Sequence, residues 1–340
     1  MKTTIKDIAK MAKVSTATVS RVINNNPEGV GQELRNNILK IVRETGYKPN
    51  LLARSMITNK THTIGLLSPD IVTPFYQYVI KGINDCLQAA GYTMLLCNVE
   101  SGAAYREQVE TMLAKGTDGI ILMGFFGETS QTLAEILTGV PVVLFDYVPR
   151  LEQIAQINTN NRASARELTS HLIENGHRRI GCIMGPEQFD TVRERLKGYQ
   201  KALEDAGIPY NPKIMLNGDF STDSALEPAA RLITETDVSA IFCFNDLMAY
   251  GVYKYCAQCG KRIPEDISVA GFDDIPYSEL LNPPLTTVRQ PGYRLGAESA
   301  KMLLEQINGT AEPRMKRILS NTLMIRGSVK NINNRGSVNG

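Results

Sequence analysis

Residues 5–23 read IKDIAKMAKVSTATVSRVI, two short helical patterns with a tight turn between them. Apolar residues recur at the spacing of one helical face on both sides of the turn: Ile5, Ile8, Ala9 and Ala12, then Val19, Val22 and Ile23. Ser15 is placed to cap the second helix by accepting a backbone N–H near Thr18. Because two amphipathic helices of about eight residues cannot stand alone, the stretch predicts a packed helical pair.

The outward face of the second helix is small, hydroxylated and cationic, and consists of Thr16, Ala17, Ser20 and Arg21. Such side chains suit the edges of bases in a DNA major groove and the neighbouring phosphates. An ordinary solvated helical hairpin has the same spacing, so the rest of the chain must decide between the two interpretations.

The charge of the chain is divided unevenly along its length. At 340 residues, with 43% hydrophobic and 21% charged residues, the chain is typical of a globular protein of two or three domains. Residues 1–60 hold 11 Lys and Arg against 4 Asp and Glu, whereas the remainder holds 26 against 31. A basic head on an acidic body indicates a polyanionic partner for the head alone.

The N-terminus MKTTIKDIAK has no apolar signal-peptide region, and no stretch approaches the roughly 18 apolar residues of a membrane span. We therefore expect a cytoplasmic protein without membrane contact. The cysteines lie mainly in apolar segments, as reduced core thiols do. Cys256 and Cys259 form a CxxC, but it lacks a second pair and a nearby His, so helical thiols are favoured over a zinc site, and no metal or cofactor is predicted.

A third helical pattern follows the pair, with an apolar stripe through Ile38 and a left-handed stop at Gly46. Residues 47–57 then read YKPNLLARSMI, in which Asn50 can cap a helix of about seven residues. Since this is well below the roughly 12–15 residues at which isolated helices persist, we expect coil when free and helix when clamped. Its apolar residues, among them Met56, either enter a DNA minor groove or pack on the body.

From Thr63 onward short β-branched and Leu-rich runs alternate with helical patterns, which predicts parallel sheets built by right-handed crossovers. The predicted strands are Ile64–Leu67, Thr93–Cys97, Gly119–Met123, Val142–Phe145, Ile180–Met184, Ala240–Phe244 and Ser268–Phe272. The predicted helices include Tyr76–Ala90, Ala163–Glu174, Val192–Ala206 and Asp246–Gln258. The strand count favours two doubly wound subdomains, with residues 157–161 as a polar crossing between them.

Polar residues follow the predicted strands, and ligands of such sheets bind at the carboxyl ends of the strands. Carboxylates and carboxamides there can pair with vicinal hydroxyls, aromatic rings can stack on a sugar, and Arg195 would add a fork of donors. A single Asp at a strand end is more often a helix cap than a ligand contact, but the number of polar residues at this one edge favours a ligand site. The sequence has no GxGxxG after the first strand, no GxxxxGK(S/T) and no GxSxG, so we do not expect an enzyme.

Five segments carry a resemblance to the LacI/GalR family of bacterial transcriptional regulators, which extends from about Thr4 to Val329. They are TIKDIAKMAKVSTATVSRVIN (4–24), GYKPNLLARSM (46–56), NGHRRIGCIMGP (175–186), FNDLMAYG (244–251) and DISVAGFDDIPYSELLNPPLTTVRQP (266–291). The resemblance implies an all-α helix-turn-helix head and an α/β periplasmic-binding-protein-like core with two doubly wound parallel-sheet subdomains. It also implies a homodimer on a near-palindromic, double-stranded DNA operator, controlled by a small-molecule effector.

The resemblance divides the chain into a DNA-binding domain (1–48), a hinge helix and linker (49–60), an effector-binding core (61–329) and a disordered tail (330–340). Within the core it implies an N-subdomain of about 61–158 with 289–318 and a C-subdomain of about 159–288 with 319–329. The DNA-binding residues implied are Lys6, Thr16, Ala17, Ser20, Arg21, Asn24, Asn50, Ala53 and Met56. Thr16, Ala17 and Arg21 would read bases, Ser20 would contact phosphate, and Met56 would insert into the minor groove.

The effector-binding residues implied or indicated are Ser68, Asp70, Phe75, Tyr76, Phe125, Asp146, Asn160, Arg195, Phe220, Asn245, Asp273 and Gln290. The expected effector is a carbohydrate or a derivative of one, acting as inducer or corepressor. Alternatives are a purine or nucleoside, a phosphorylated carrier protein as corepressor, and a sugar-binding protein without DNA function. Asn160 stands where the family commonly has Asp, and Met56 where most members have Leu.

Overall fold

The computed structural model describes residues 3–23, 29–48, 60–99, 102–124, 136–145, 154–311 and 315–333. The chain divides into two compact units, Met1–Thr61 and His62–Gly340, here called the head and the body. Among the sequence-based expectations, Asn24, Asn50, Ala53, Met56, Phe125 and Asp146 lie outside the described residues, as does most of the hinge segment.

The head contains three helices around one small core. They are α1 (Ile5–Ala12), α2 (Thr16–Ile23) and α3 (Gln32–Thr45). Ile8, Val19 and Ile38 are completely buried, one from each helix, which is the mini-core that the helical spacing predicts. This apolar contact fixes the angle at which α2 presents its other face to solvent.

The turn between α1 and α2 is made by local backbone chemistry. Lys13 takes a left-handed conformation with φ 56°, which ends α1. The Ser15 hydroxyl oxygen accepts the backbone N–H of Thr18 at 3.1 Å, which confirms the predicted cap of α2. At the start of α1, Thr4 and Asp7 form a reciprocal capping box. The helix starts are therefore specified by side chains as well as by the core.

The body alternates strands and helices. Its helices are α4 (Pro74–Ala89), α5 (Gly102–Ala114), α6 (Asn161–Glu174), α7 (Asp190–Asp205), α8 (Leu226–Glu235), α9 (Asp246–Cys259) and α10 (Gly292–Ile307). Its strands are β1 (Thr63–Ser68), β2 (Thr93–Asn98), β3 (Gly119–Met123), β4 (Val142–Phe145), β5 (Ala155–Thr159), β6 (Ile180–Met184), β7 (Met215–Asn217), β8 (Ala240–Cys243), β9 (Ser268–Ala270), β10 (Thr287–Arg289), β11 (Lys316–Leu319) and β12 (Thr322–Met324). Every predicted strand is present.

The strands form two parallel sheets, which confirms the predicted fold class. The first sheet has the order β11-β5-β4-β3-β1-β2, and the second has the order β7-β6-β8-β9. We call the first sheet with α4, α5 and α10 the first lobe, and the second sheet with α6 to α9 the second lobe. An antiparallel pair, β10 with β12, lies where the chain passes between them.

The chain passes from the first lobe to the second within the stretch expected for the crossing, residues 157–161, but most of this stretch is a strand. Strand β5 occupies this region as far as Thr159 and pairs with both β4 and β11. Ile157 is completely buried and Gln156 is 2% exposed, so this stretch belongs to the interior of the first sheet. Its polar composition concealed a central strand, because polar residues within a sheet are compatible with burial when they are hydrogen-bonded.

Helix α10 packs along α4 with unusually close backbone contact. A Cβ atom added at Gly296 would overlap the carbonyl oxygen of Val79, and one added at Gly82 would overlap the carbonyl oxygen of Tyr293. Two glycines therefore let the two helices approach each other and close one side of the first lobe.

The segment expected to be a disordered tail begins with residues packed on the body. The backbone N–H of Ile332 donates to the carbonyl of Asn175 at 2.8 Å. The carbonyl of Lys330 lies 3.2 Å from Nε2 of His177, a completely buried side chain. Lys330 to Asn333 are thus ordered, a correction that composition alone does not suggest, because backbone hydrogen bonds leave no signature in it. Within the ranges that the structure describes, every helix is too short or too polar to span a bilayer.

Candidate functional site

The outer face of α2 presents the side chains predicted to read DNA. Thr16, Ala17 and Arg21 are exposed and Ser20 is half-buried, while Val19 and Val22 of the same helix face the core. Lys6 is exposed on α1. A single α-helix with short side chains and one arginine fits the width of a major groove, and the hydroxyl and guanidinium groups can donate to base edges and phosphates.

A cavity of about 420 Å³ lies between the two lobes of the body. The lining includes eight of the residues indicated by the sequence: Asp70, Phe75, Tyr76, Arg195, Phe220, Asn245, Asp273 and Gln290. Asn98, Phe145 and Thr159 also line it, and each ends a strand of the first sheet. The cavity therefore lies at the carboxyl ends of the strands, where the sheet topology predicts a ligand.

Ser68 and Asp70 shape the loop that enters the cleft. Ser68 is completely buried, and its hydroxyl donates to the carbonyl of Asp70 at 2.6 Å, so it supports the wall from behind. Oδ1 of Asp70 accepts the backbone N–H groups of Val72 and Thr73 at 2.6 and 3.1 Å. This is the turn-forming role of Asp that the sequence left open, and it leads directly into α4.

Asn160 is not part of the cavity lining. Its side chain is exposed, and Oδ1 accepts the backbone N–H of Ala163 at 3.3 Å, which caps α6. The cavity is lined instead by the two preceding residues, Asn158 and Thr159. The cavity contact expected at Asn160 is thus made one and two residues earlier, because the strand ends at Thr159 and Asn160 lies beyond it.

A chain of polar side chains runs across the base of the cavity from one lobe to the other. The Thr159 hydroxyl donates to Oε1 of Gln290 at 2.7 Å, and Nε2 of Gln290 donates to Oδ1 of Asp273 at 2.7 Å. The Arg195 guanidinium lies 3.7 Å from the same Asp273 oxygen. Nε of Arg195 donates to Oδ1 of Asn161 at 2.9 Å. These groups connect β5 of the first lobe to α7 of the second.

Arg195 and Asp273 form a buried ion pair with little freedom to move. The guanidinium also donates to the carbonyl of Phe244 and lies 3.7 Å above the centre of the Phe272 ring. Burial raises the pKa of Asp273 to about 6, although Arg195 and the amide of Gln290 both act to lower it. Asp273 also has φ 119°, a strained value for a side chain with a Cβ, as often found at functional sites.

A second buried carboxylate, Asp246, holds the loop that carries Asp273. Its two oxygens accept the backbone N–H of Ile275 at 3.0 Å and the hydroxyls of Ser278 and Thr287, each at 2.5 Å. Burial raises the pKa of Asp246. These bonds fix the loop after β9 and the start of the crossing strand β10 on the first turn of α9.

Aromatic rings from both lobes face the cavity. Phe75 lies 5.4 Å from Tyr76 and 6.3 Å from Phe145 in the first lobe, and Phe189 lies 5.5 Å from Phe220 in the second, measured between ring centres. Sequence reasoning missed Phe145 and Phe189. Phe145 is the last residue of a predicted strand, so extending the search to apolar residues at strand ends would have found it.

The described part of the chain contains no group of three or more His, Cys, Asp or Glu side chains that could hold a metal ion. On α9, Cys256 is buried and Cys259 is exposed, both as free thiols.

Two family models match the chain. Residues 4–50 match the bacterial regulatory proteins of the lacI family, and residues 169–329 match the periplasmic binding protein-like domain. The chain is 39% identical over 335 residues to the HTH-type transcriptional repressor PurR of Photobacterium profundum, covering 97% of this chain and 99% of that one. These matches extend the likeness over both units.

Solved structures show the same relationship. The chain is 32% identical to the transcriptional regulator CelR in its cellobiose complex, with a TM-score of 0.74 and coverage of 96% of this chain and 99% of that chain. It is 26% identical to the lac repressor dimer bound to operator and the anti-inducer ONPF, with a TM-score of 0.88 and coverage of 97% and 100%. With the helix-turn-helix face and the interlobe cleft in place, the chain belongs to the LacI family and is a DNA-binding transcriptional repressor rather than an enzyme.

Proposed function

We propose that this repressor binds a palindromic operator as a homodimer and is controlled by a small molecule in the interlobe cleft. The observation that carries the proposal is the hydrogen-bonded chain from Thr159 through Gln290 to Asp273 at the base of the cavity. A ligand that contacts both ends of this chain changes the relative energy of open and closed lobes. A coupling of about 1–3 kcal/mol would change operator affinity roughly 5- to 150-fold.

For the effector we propose a sugar or a sugar derivative. Asn158, Asn245 and Gln290 line the cavity, and each carboxamide NH2 group has two N–H donors, of which one beyond its bonds within the protein can reach a ligand hydroxyl. Phe75 can stack on the C–H face of a ring. The similar regulator CelR was solved with cellobiose. A purine or nucleoside is the second candidate, because aromatic rings stand on both lobes and can bracket a flat ring, and because PurR is among the similar proteins.

For DNA binding we propose that Thr16, Ala17 and Arg21 read bases in the major groove of each half-site and that Ser20 contacts phosphate. A two-fold symmetric dimer matches a palindromic site because each head meets the same sequence. Asn24 and the segment with Asn50, Ala53 and Met56 complete the proposed interface, and Lys6 adds a phosphate contact. A protein that acts on chromosomal DNA belongs in the cytoplasm.

A thermal-shift screen with sugars, nucleosides and nucleobases tests the effector site. A ligand at 100 times its Kd stabilises the folded protein by about 2.7 kcal/mol, so a true effector raises the melting temperature measurably. Phe75→Ala should remove this shift, whereas Tyr210→Ala, at a 41% exposed aromatic outside the cavity lining, should keep it. A shift that persists unchanged in Phe75→Ala would place the ligand elsewhere.

Operator selection followed by titration at two salt concentrations tests the DNA interface. Arg21→Ala should weaken discrimination at one base position by about 1–3 kcal/mol, whereas Lys6→Ala should weaken binding to all sequences alike. Affinity should fall steeply with salt, because phosphate contacts release counterions. Affinity that is independent of salt contradicts the proposed interface.

A further inference from the structure

We infer that the effector of the interlobe cleft is uncharged, and that its phosphorylated or carboxylate-bearing relatives are rejected. The inference rests on the proposed function and narrows the class of ligand. Among the described residues that line the cavity, the charged side chains are three carboxylates, Asp70, Asp219 and Asp273, and one cation, Arg195. The lining is thus anionic, in a cleft where low-dielectric walls strengthen the field.

The one cation in this lining is already committed. Arg195 is 5% exposed, and its guanidinium faces Asp273, Asn161 and the carbonyl of Phe244 while lying flat on the Phe272 ring. An anionic ligand that recruited Arg195 would have to separate it from Asp273. It would then leave a buried carboxylate without its cation, which is a costly arrangement.

The other two carboxylates accept backbone hydrogen bonds at the edges of the cavity. Oδ1 of Asp219 accepts the backbone N–H of Ser221 at 2.9 Å, and hydrogen bonding to Ser221 lowers the pKa of Asp219. Asp70 accepts two backbone N–H groups in the loop before α4, a geometry that requires acceptor oxygens. Asp70 in the first lobe and Asp219 in the second therefore both repel an anion that enters the cleft.

Helix N-termini are the usual alternative sites for phosphate, and those lining this cavity are poorly suited to it. Helix α4 begins with Pro74, which has no N–H to donate. Helix α9 is capped by Asn245, whose side chain accepts the N–H of Met248 at 2.9 Å. Helix α7 has an acidic side chain, Asp190, in its first turn. Each start therefore carries one feature that disfavours a bound anion: a missing donor, a donor already capped, or a carboxylate.

Isothermal titration of the full-length protein at pH 7.5 with matched ligand pairs tests the inference. Suitable pairs are glucose with glucose 6-phosphate, glucose with gluconate, ribose with ribose 5-phosphate, and adenosine or cytidine with its 5′-monophosphate. In whichever ligand pair binds, the uncharged member should bind at least about tenfold more tightly than the charged member, equivalent to about 1.4 kcal/mol. Equal or tighter binding of the charged member overturns the inference, whereas binding of no pair counts against the proposed effector class.

Asp219→Asn should reduce the difference in affinity between the uncharged and the charged ligand, because it removes one ionised carboxylate at an exposed edge of the cavity. Asp237→Asn is the matched control, since Asp237 is exposed and absent from the lining. A difference that is unchanged in Asp219→Asn contradicts the electrostatic explanation.

A second measurement needs no ligand. The chain has no tryptophan, so Tyr76→Trp places a single fluorophore in the cavity wall and Tyr210→Trp places one outside it. For each variant we compare the quenching constant of caesium with that of iodide at low salt. The ratio of caesium to iodide quenching should be higher for the cavity tryptophan than for the control tryptophan. More effective quenching by iodide in the cavity overturns the inference even if the effector is unknown.

Discussion

Replacing Arg195 with Met should destabilise the body strongly, and the defect should depend on pH. The substitution keeps the apolar contact with Phe272 but leaves Asp273, which is 8% exposed, without its cation. Breaking one side of a buried ion pair typically costs about 3–5 kcal/mol. We therefore expect a loss of this size in the free energy of unfolding at pH 7.5, measured by urea denaturation followed by circular dichroism.

The pH dependence follows from the raised pKa of Asp273. Its pKa is about 6 in the folded protein, mainly because of burial, against an ordinary value of 3.8. Folding therefore binds a proton between these values, and stability falls as pH rises from 4 to 6, by about 3 kcal/mol in total. Without Arg195 the pKa of Asp273 rises further, so the penalty continues to grow above pH 6.

Two comparisons decide whether this explanation is correct. The defect of Arg195→Met should be much smaller at pH 5 than at pH 7.5, since a protonated Asp273 needs no cation. Adding Asp273→Asn should restore part of the lost stability at pH 7.5, because it removes the unpaired charge. A defect of equal size at both pH values, with no rescue by Asp273→Asn, would refute the reasoning and assign the loss to packing.

Three further substitutions test local features. Gly296→Ala should cost about 1–3 kcal/mol, because its Cβ overlaps the carbonyl of Val79; an unchanged melting temperature would mean that the helices separate without cost. Ser15→Ala should lower the stability of the head by about 1 kcal/mol through loss of the α2 cap, measured by helix content on heating. Ser328→Ala should cost about 1–3 kcal/mol in urea denaturation, because the buried N–H of Thr286 loses its acceptor at 2.7 Å; a neutral result would require another acceptor.

The periodicity of apolar residues was sufficient to predict the helices of the head and the longer strands of both sheets. The strands that it missed, such as β7 and β12, are three residues long and too short to show a period. Strand β5 was missed for a different reason: Gln156 and Thr159 are polar, and only pairing on both sides makes their burial favourable. Tertiary context decided that element.

Sequence reasoning located the cleft but could not assign the task of each polar residue. Arg195, Asp273 and Gln290 meet in the cavity. Asp273 was indicated by its place after a predicted strand and Arg195 by its place on the helix that follows another, whereas Gln290 was indicated by the family resemblance alone. Asp70 and Asn160 are also polar residues that follow strands of the first sheet, but their side-chain oxygens accept nearby backbone N–H groups. Whether a polar residue faces the cavity or binds nearby backbone depends on where the strand ends, and a shift of one or two residues is enough to change the outcome.

The pairing of β11 with β5 determines the order in which the lobes can be completed during synthesis. The second sheet is made only from residues 180–270, so its strands emerge from the ribosome together. The first lobe, although it begins at Thr63, must wait for α10 to cover Val79 and Ile83 and for β11 to reach β5. The first lobe, although it begins earlier in the sequence, is therefore completed after the second sheet. A nascent chain that stops before residue 292 would expose this apolar helix face to chaperones and to aggregation.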